Sequence, residues 1–368
     1  MFLTIVAFVI ILGLLVFVHE FGHFITARLM KMKVEEFGFG FPPRLAKLFT
    51  RKGTEYTLNW IPIGGFVKIK GESGEFAGEE DSFAHKKPWK RLVVLVAGVT
   101  MNVVLAWMLL AIGFGIGLPQ VIEEGEQAHY QNPQIQVISL EKGSAVEAAG
   151  ILVGDTITSL DGQIYTSIDD VQEYIKTHPD SEIAVEVGRG KEVMSFKVEP
   201  KAIDDSGEEV FGVGLVRTAI VSYPWYEALW QGAKATVYTT IGTVLAFATI
   251  IKNWITGAGS GAQISGPVGI AVMTGQVVHL GFIYVLQFAA LLSINLAIIN
   301  ILPIPALDGG RVLFLLIEKI RRKPVSQKLE VVIHNIGFLL LMLLLVVITF
   351  KDIGRFSSNI LHWFKNLF

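Results

Sequence analysis

The chain contains 368 residues, of which 52% are hydrophobic and only 17% are charged, and its mean hydropathy is +0.53. Soluble globular domains usually have about a quarter of their residues charged, so this composition predicts an integral membrane protein. The 31 basic and 33 acidic residues nearly cancel, which argues against a nucleic-acid-binding protein. Because the chain has no cysteine, disulfides and thiolate sites are excluded, and any metal must be bound by His, Asp or Glu.

Four uncharged segments are long enough to be membrane-spanning helices. They are residues 2–18, 92–118, 279–302 and 331–350. A fifth apolar segment, residues 235–251, carries threonines at helical spacing, a pattern that favours a helix lying at the membrane interface. The first segment lacks a basic region and a small-residue cleavage site, so we interpret it as a retained span and not as a signal peptide.

Basic residues in the connecting segments predict the orientation, because cytoplasmic loops near spans are enriched in Lys and Arg. Residues 24–91 contain 13 basic residues, residues 303–334 contain 6, and the much longer segment 119–276 contains 9. With four spans, the two basic-rich segments lie on the same side, whereas a fifth span at 235–251 would place one of them outside. The sequence therefore favours four spans, both termini outside the cytoplasm, and a large extracytoplasmic insert between spans two and three.

A His-Glu-x-x-His motif follows the first apolar segment. A spacing of four residues places His19 and His23 on one helix face, where both imidazoles can bind one zinc ion. Glu20, between them, can accept a proton from the attacking water. Ionisable residues at membrane depth are costly without partners, so this cluster indicates a functional site. The alternative is that the span ends at Val18 and that these residues only cap it at the interface.

A catalytic zinc site needs three protein ligands and one open position. Asp308 is the candidate for the third ligand, because it is the first charged residue after the 55 uncharged positions of residues 253–307. The four-span topology also places it on the same side of the membrane as the end of the first span. The alternative role is a helix N-cap after the preceding proline-containing turn. We interpret His279 and His334 as packing or interfacial residues.

The segment between the first two spans predicts a β-hairpin. Residues 55–61 and 66–69 are strand-like and are separated by Pro62 and the pair Gly64-Gly65. Non-helical backbone near a membrane is tolerated where it lines a cavity or is buried in protein. A hairpin beside the zinc could bind an unwound substrate by strand addition, since the amides of an intact helix are shielded. The alternative is a purely structural cytoplasmic hairpin.

The extracytoplasmic insert has the pattern of a small α+β domain. The predicted strands are residues 134–138, a segment after Asp155 running to Asp161-Gly162, and residues 182–187 and 193–198. A turn at 188–190 joins the last two strands. A short helix is predicted between Gly143 and Gly150. This arrangement resembles a PDZ domain, which would bind an extended peptide or a free carboxyl terminus. The insert shows no clear carboxylate-binding loop, so a filter that excludes large substrates is the competing interpretation.

Together these motifs resemble the site-2 proteases, a family of intramembrane zinc metalloproteases, in the branch of the bacterial regulator of sigma-E protease. The resemblance covers nearly the whole chain, and it is carried by His19-Glu20-Phe21-Gly22-His23, by Pro62 to Lys68, by Ala97-Gly98 with Asn102, by Ser265-Gly266-Pro267, and by Asn295, Asn300, Pro303, Pro305 and Leu307-Asp308-Gly309. One departure is visible, because the family commonly has Gly-Pro where this chain has Gly98-Val99.

The resemblance implies a single Zn²⁺ per chain, bound by His19, His23 and Asp308, with Glu20 as the catalytic base. It also implies that the hairpin re-enters the membrane. The substrates that the resemblance implies are single-pass membrane proteins already shortened outside the membrane, such as anti-sigma factors or signal-peptide remnants. The residues expected to bind such a substrate are Asn300, Asn295, Gly64, Gly65 and Phe66.

The expected architecture is an α-helical polytopic membrane protein with about four transmembrane helices, a re-entrant β-hairpin on the cytoplasmic side and an inserted extracytoplasmic α+β PDZ domain. We expect a membrane core at residues 1–118, a PDZ-like domain at 119–218, an interfacial helix and linker at 219–268 and a second membrane core at 269–368. The expected location is a bacterial cell membrane, with the zinc site near its cytoplasmic face.

Two functions of other classes compete with proteolysis. One is a non-catalytic membrane scaffold with a PDZ domain and a structural zinc site, but a structural site would favour a fourth protein ligand over an open position. The other is a transporter, for which the sequence shows no inverted repeat of interrupted spans. An intramembrane zinc endopeptidase is therefore the favoured interpretation.

Overall fold

A computed structural model describes residues 2–122, 130–141, 143–179, 181–189, 192–202, 209–210, 212–257, 265–323 and 325–355. The helices are α1 (Phe2–Leu29), α2 (Pro88–Ile116), α3 (Ala145–Ala149), α4 (Ile168–Thr177), α5 (Trp225–Thr256), α6 (Pro267–Leu280), α7 (Phe282–Ile301), α8 (Asp308–Arg321) and α9 (Gln327–Arg355). The strands are β1 (Val34–Arg51), β2 (Thr54–Ile69), β3 (Leu118–Val121), β4 (Tyr130–Leu140), β5 (Thr156–Leu160), β6 (Ile183–Arg189), β7 (Glu192–Val198), β8 (Lys201–Ala202), β9 (Glu209–Val210) and β10 (Val213–Val221).

Within these described ranges, five helices are long and apolar enough to cross a membrane by length and composition, namely α1, α2, α5, α7 and α9. Four of them correspond to the predicted spans. The predicted span at 279–302 is interrupted at Gly281, where one helix ends and α7 begins. The fifth helix, α5, is 32 residues long and extends the predicted interfacial segment at both ends.

The chain forms two compact units, of which the first contains residues 1–112, 229–278 and 284–368, and the second contains residues 113–228 and 279–283. In the first unit, α1 is apolar on all sides and continues without a break to Leu29. Its second half packs in an apolar cluster with β1, β2, α2 and α8, to which Phe24, Phe37, Ile69, Val94 and Leu315 contribute. This cluster holds the helices and strands that carry the candidate site.

The β-hairpin between α1 and α2 is larger than predicted, and its strands pair differently. Residues 55–58 and 65–68 do not pair with each other, because residues 36–39 of β1 lie between them and pair with both. The hairpin turn lies instead at Lys52-Gly53, where both residues have the positive φ that a two-residue turn requires. The predicted pairing of 55–61 with 66–69 is therefore wrong, although both segments are extended.

The physical reason for this arrangement is aromatic packing on α1. Phe37 and Phe39 of β1 place their rings 5.7 and 5.2 Å from the ring of Phe17, and Phe37 is 4.8 Å from Phe24. Burying these rings against the helix favours the inner position for residues 36–39. The sequence does not predict β1, because its glycines and prolines are atypical of a strand.

The second unit contains a six-stranded sheet in the order β3-β10-β4-β5-β6-β7. Alternate residues of its strands are buried, as in Ile183, Val185 and Val187 of β6, and the short helices α3 and α4 contribute to the same core. The predicted strands in this region and the short helix before Gly150 are confirmed. The turn predicted at 188–190 lies in part outside the described residues, and α4 was not predicted.

Candidate metal centre

The His-Glu-x-x-His motif lies inside α1 and not at its end. Residues 2–18 of the helix precede His19, and the helix continues for six residues after His23 to Leu29. Both imidazoles are buried, with 6% and 7% of their residue surface exposed. The alternative in which these residues cap the end of a helix is therefore wrong.

Asp308 is the first residue of α8, and its carboxylate is directed at the two histidines. Its Oδ2 atom is 3.0 Å from Nε2 of His19 and 3.3 Å from Nε2 of His23. The N-cap position is Leu307, which makes no side-chain capping bond, so the N-cap alternative for Asp308 is also wrong. The structure thus brings together three side chains that come from two distant parts of the chain.

Nε2 of His19, Nε2 of His23 and Oδ2 of Asp308 form a triangle whose sides have the lengths that one zinc ion requires. The third side of the triangle, between Nε2 of His19 and Nε2 of His23, is 3.2 Å. Ligand atoms at zinc bond lengths of about 2.0–2.1 Å in tetrahedral directions lie roughly 3.3 Å apart. Two imidazoles and one carboxylate are also a donor set typical of catalytic zinc, which leaves one position open. The residues present therefore fit a zinc ion.

Both histidines have a partner on α2 at their outer ring nitrogen. Nδ1 of His23 is 2.8 Å from the backbone oxygen of Val94, and Nδ1 of His19 is 3.3 Å from the side-chain amide of Asn102. Outer partners of this kind fix the ring orientation of metal ligands. Gly98 lies midway between the two partners on the same stripe of α2. A Cβ at this position would lie 2.7 and 2.8 Å from two His19 ring atoms and closer still to Nε2 of His23.

Glu20 faces the hairpin. Its Oε2 atom accepts a hydrogen bond of 3.1 Å from the backbone N–H of Val67 in β2. A carboxylate that lies one residue from a candidate ligand, and that also touches an extended strand, can move a proton between water and a peptide held on that strand. The hairpin and the candidate base are thus in direct contact.

Two contacts that the sequence analysis did not find hold the start of α8. The backbone N–H of Ala306 donates a 2.9 Å hydrogen bond to Nδ1 of His334 in α9, a residue for which the sequence predicts only a packing or interfacial role. One turn after Asp308, Arg311 forms an ion pair with Glu72, which follows β2. Burial lowers the pKa of Arg311. Neither contact has a sequence signal, because each depends on tertiary packing.

The residues expected to bind substrate occupy two places. Asn300 lies in the last turn of α7, while Asn295 precedes it by five residues and therefore points roughly 140° away around the helix axis. Gly64 has a φ of 72° and packs so closely on α1 that a Cβ would lie 2.6 Å from a Val16 methyl carbon. Gly65 and Phe66 lie beside Gly38 of β1, so this part of β2 also has a packing role.

Known proteins are similar to this chain over nearly its full length. A family model described as peptidase family M50 matches residues 7–344. The regulator of sigma-W protease RasP of Bacillus subtilis (strain 168) is 31% identical, and the match covers 96% of this chain and 98% of that protein. The zinc metalloprotease RasP of Bacillus licheniformis is 32% identical, with 96% and 99% covered.

Among solved structures, the PDZ domain of an SdrC-like protein from Listeria monocytogenes is similar to part of the chain. It is 21% identical, the match covers 24% of this chain and 93% of that domain, and the TM-score is 0.22. The family match and the full-length relatives, together with the apolar helices, decide the classification. The chain belongs to peptidase family M50, the site-2 proteases, and is an integral membrane zinc metalloprotease.

Proposed function

We propose that this protein is an endopeptidase that cleaves the transmembrane segments of single-pass membrane proteins inside the bilayer. The observation that carries the proposal is that Asp308 of α8 meets His19 and His23 beside Glu20. The last three residues belong to α1, an apolar helix that packs on a β-hairpin. An ionisable cluster on such a helix is costly unless it has a function.

The site residues have separate roles in the proposed reaction. His19, His23 and Asp308 would hold one zinc ion per chain, which when bound supplies Lewis-acid activation of water and of the scissile carbonyl. Glu20 accepts the proton of the attacking water and passes it to the leaving amine. The contact between Glu20 and the Val67 N–H positions the carboxylate next to the strand on which the substrate would lie.

The hairpin and the end of α7 are the proposed substrate-binding elements. An unwound substrate segment would extend the sheet beside β2, near Gly64, Gly65 and Phe66, since strand addition gives main-chain hydrogen bonds to a peptide of any sequence. Asn300, and secondarily Asn295, would hydrogen-bond the substrate backbone. The expected substrates are proteins already shortened outside the membrane, such as anti-sigma factors or signal-peptide remnants. The name of the Bacillus subtilis relative, regulator of sigma-W protease, fits the first class.

For the topology, we propose four membrane crossings, by α1, α2, α7 and α9, with α5 on the outer membrane surface. Support comes from the basic residues, which are dense in 24–91 and 303–334. The packing of α5 also supports this topology, because α5 contacts α2 near the start of α5. There the Trp107 indole N–H of α2 donates a hydrogen bond to the Leu229 carbonyl. The candidate site would then lie near the cytoplasmic face of a bacterial cell membrane.

Single-cysteine labelling tests this topology, and the native chain has no cysteine to interfere. Cysteines replacing Tyr226 and Thr256, at the two ends of α5, should both react with a membrane-impermeant maleimide added from outside. Labelling of these two positions from opposite sides would show that α5 crosses the membrane and would contradict the four-span proposal.

We propose the domain boundaries as predicted, with membrane cores at 1–118 and 269–368, a PDZ-like domain at 119–218 and an interfacial segment at 219–268. The PDZ proposal is supported by the six-stranded antiparallel sheet and the short helices of the second unit. Such a domain would face the outside and either bind a substrate terminus or exclude substrates with large outer domains.

Replacement of Glu20 tests the proposed activity. Glu20→Gln should abolish cleavage of a membrane-spanning reporter, because the amide is isosteric but cannot accept the proton. Glu192→Gln, an exposed change of the same chemistry on β7, is the matched control and should cleave at the wild-type rate. A Glu20→Gln protein that still cleaves the reporter would overturn the assignment. Fragments released by wild type but absent from Glu20→Gln membranes would identify the substrates.

A further inference from the structure

Asn102 on α2 is a polar side chain in contact with a candidate ligand, His19, and the proposed reaction does not use it. It is completely buried. Its side-chain nitrogen is 3.3 Å from Nδ1 of His19, while its side-chain oxygen has no hydrogen-bond partner among the residues that the structure describes. A buried amide oxygen without a partner is expensive, so this arrangement calls for an explanation.

The explanation follows from the tautomer that His19 needs. Its Nε2 atom faces Asp308 and His23 at 3.0 and 3.2 Å, so the lone pair for a metal must be on Nε2 and the proton on Nδ1. An N–H at Nδ1 needs an acceptor, and the amide nitrogen of Asn102 is itself a donor. The two orientations of a side-chain amide occupy the same space, so hydrogen bonding decides between them. The oxygen of Asn102 therefore belongs toward His19.

We infer that Asn102 is a positioning residue of the metal centre, whose side-chain oxygen accepts the Nδ1–H of His19 and so fixes the ring with Nε2 toward the zinc. This inference rests on the proposed role of His19 as a zinc ligand. It places an acceptor against the Nδ1–H of His19 and removes the contact between two donors.

Helix α2 also supplies a hydrogen-bond acceptor for Nδ1 of His23. Nδ1 of His23 is 2.8 Å from the backbone oxygen of Val94, which can only accept a hydrogen bond, so His23 also has its proton on Nδ1. Val94, Gly98 and Asn102 are spaced by four residues and lie along one stripe of α2. The acceptor for His23 is main chain, which no substitution removes, whereas the acceptor for His19 is a side chain and can be tested.

Asn102 is well supported in this position. Its backbone oxygen accepts a 2.8 Å hydrogen bond from the Ser293 hydroxyl of α7, and Ser293 is also fully buried. This contact fixes the main chain of α2 at Asn102 without reaching His19. Ser293→Ala therefore offers a matched control that disturbs the packing of Asn102 but not its acceptor oxygen.

The test measures zinc affinity of the purified full-length protein by competition with a chromogenic chelator, in a Glu20→Gln background that prevents self-cleavage. Asn102→Leu, which keeps the volume but removes the acceptor, should weaken zinc binding about 10–100-fold, the usual cost of losing such a partner. Asn102→Asp, which retains an acceptor oxygen, should bind zinc at least as tightly as the parent. Ser293→Ala should bind like the parent.

The outcomes separate this inference from the proposed function. If the parent protein binds no stoichiometric zinc, or His19→Ala does not weaken binding, the metal-site proposal itself fails. If the parent binds zinc and His19→Ala loses it, but Asn102→Leu binds like the parent, only the role of Asn102 is overturned. Equal losses in Asn102→Leu, Asn102→Asp and Ser293→Ala would also overturn it, because they would show a general packing effect.

Discussion

Gly98 offers a sharp test of the metal-centre geometry, because any side chain there meets both histidines. The Cβ of an alanine would lie 2.7 Å from Cε1 and 2.8 Å from Nε2 of His19, whereas ordinary contacts begin at 3.4 Å. The ring would have to withdraw by roughly 0.6–0.7 Å, and a catalytic geometry tolerates about 0.5 Å. His23 is crowded still more strongly.

We expect Gly98→Ala to lower kcat/KM by about 10–100-fold, because a displacement of about 1 Å costs on the order of 100-fold. Zinc affinity should fall as well, since metal distances are held to about 0.2 Å. The helix itself should not suffer, because alanine is about 1 kcal/mol more favourable than glycine in a helix interior. The damage is therefore expected at the site and not in α2.

The assay combines reporter cleavage in proteoliposomes with zinc competition on the same preparation. Gly242→Ala on α5 is the matched control, because a Cβ at that glycine meets no atom within 4 Å. It should behave like wild type in both measurements. If Gly98→Ala binds zinc and cleaves the reporter within twofold of Gly242→Ala, the close approach of α2 to the histidines described above is refuted.

Two further predictions concern the supports of the site and of the second unit. His334→Phe removes the acceptor of the Ala306 N–H and should lower both zinc affinity and kcat/KM by roughly 10-fold, and unchanged zinc affinity would contradict a role in placing the start of α8. The buried carboxylate of Asp155 accepts two hydrogen bonds, of 2.8 and 2.6 Å, from Arg189. Asp155→Ala removes this carboxylate and should lower the free energy of unfolding of the second unit by about 2–3 kcal/mol, a value that allows for the partial exposure of the guanidinium. Faster hydrogen exchange in β5 and β6 would report this loss, and exchange as slow as in the exposed control Asp169→Ala would contradict it.

The candidate ligands could be predicted because each carries a local sequence signal. His19 and His23 have helical spacing, and Asp308 ends a long uncharged segment. Charge is rare in an apolar chain, so its position is informative. The same reasoning predicted the four helices at 2–18, 92–118, 279–302 and 331–350, apart from the break at Gly281.

The hairpin and the outer partners of the histidines could not be predicted in this way. The pairing of β1 depends on aromatic rings that meet α1 across the fold, and the glycines and prolines of β1 conceal its extended character. The contact between Val94 and His23 uses a backbone oxygen that every residue possesses. The pair Lys52-Gly53, in which both residues have positive φ, is a local signal for the turn of this hairpin.

The candidate ligands are far apart in the order of synthesis. His19 and His23 belong to α1, whereas Asp308 follows His23 by 285 residues. Because a chain grows from its N-terminus at about 5–20 residues per second, the two histidines enter the membrane well before their third partner exists. The three candidate ligands can meet only after the residues between His23 and Asp308 have been synthesised. With the proposed metal site, the protease would therefore have no activity until Asp308 has been synthesised.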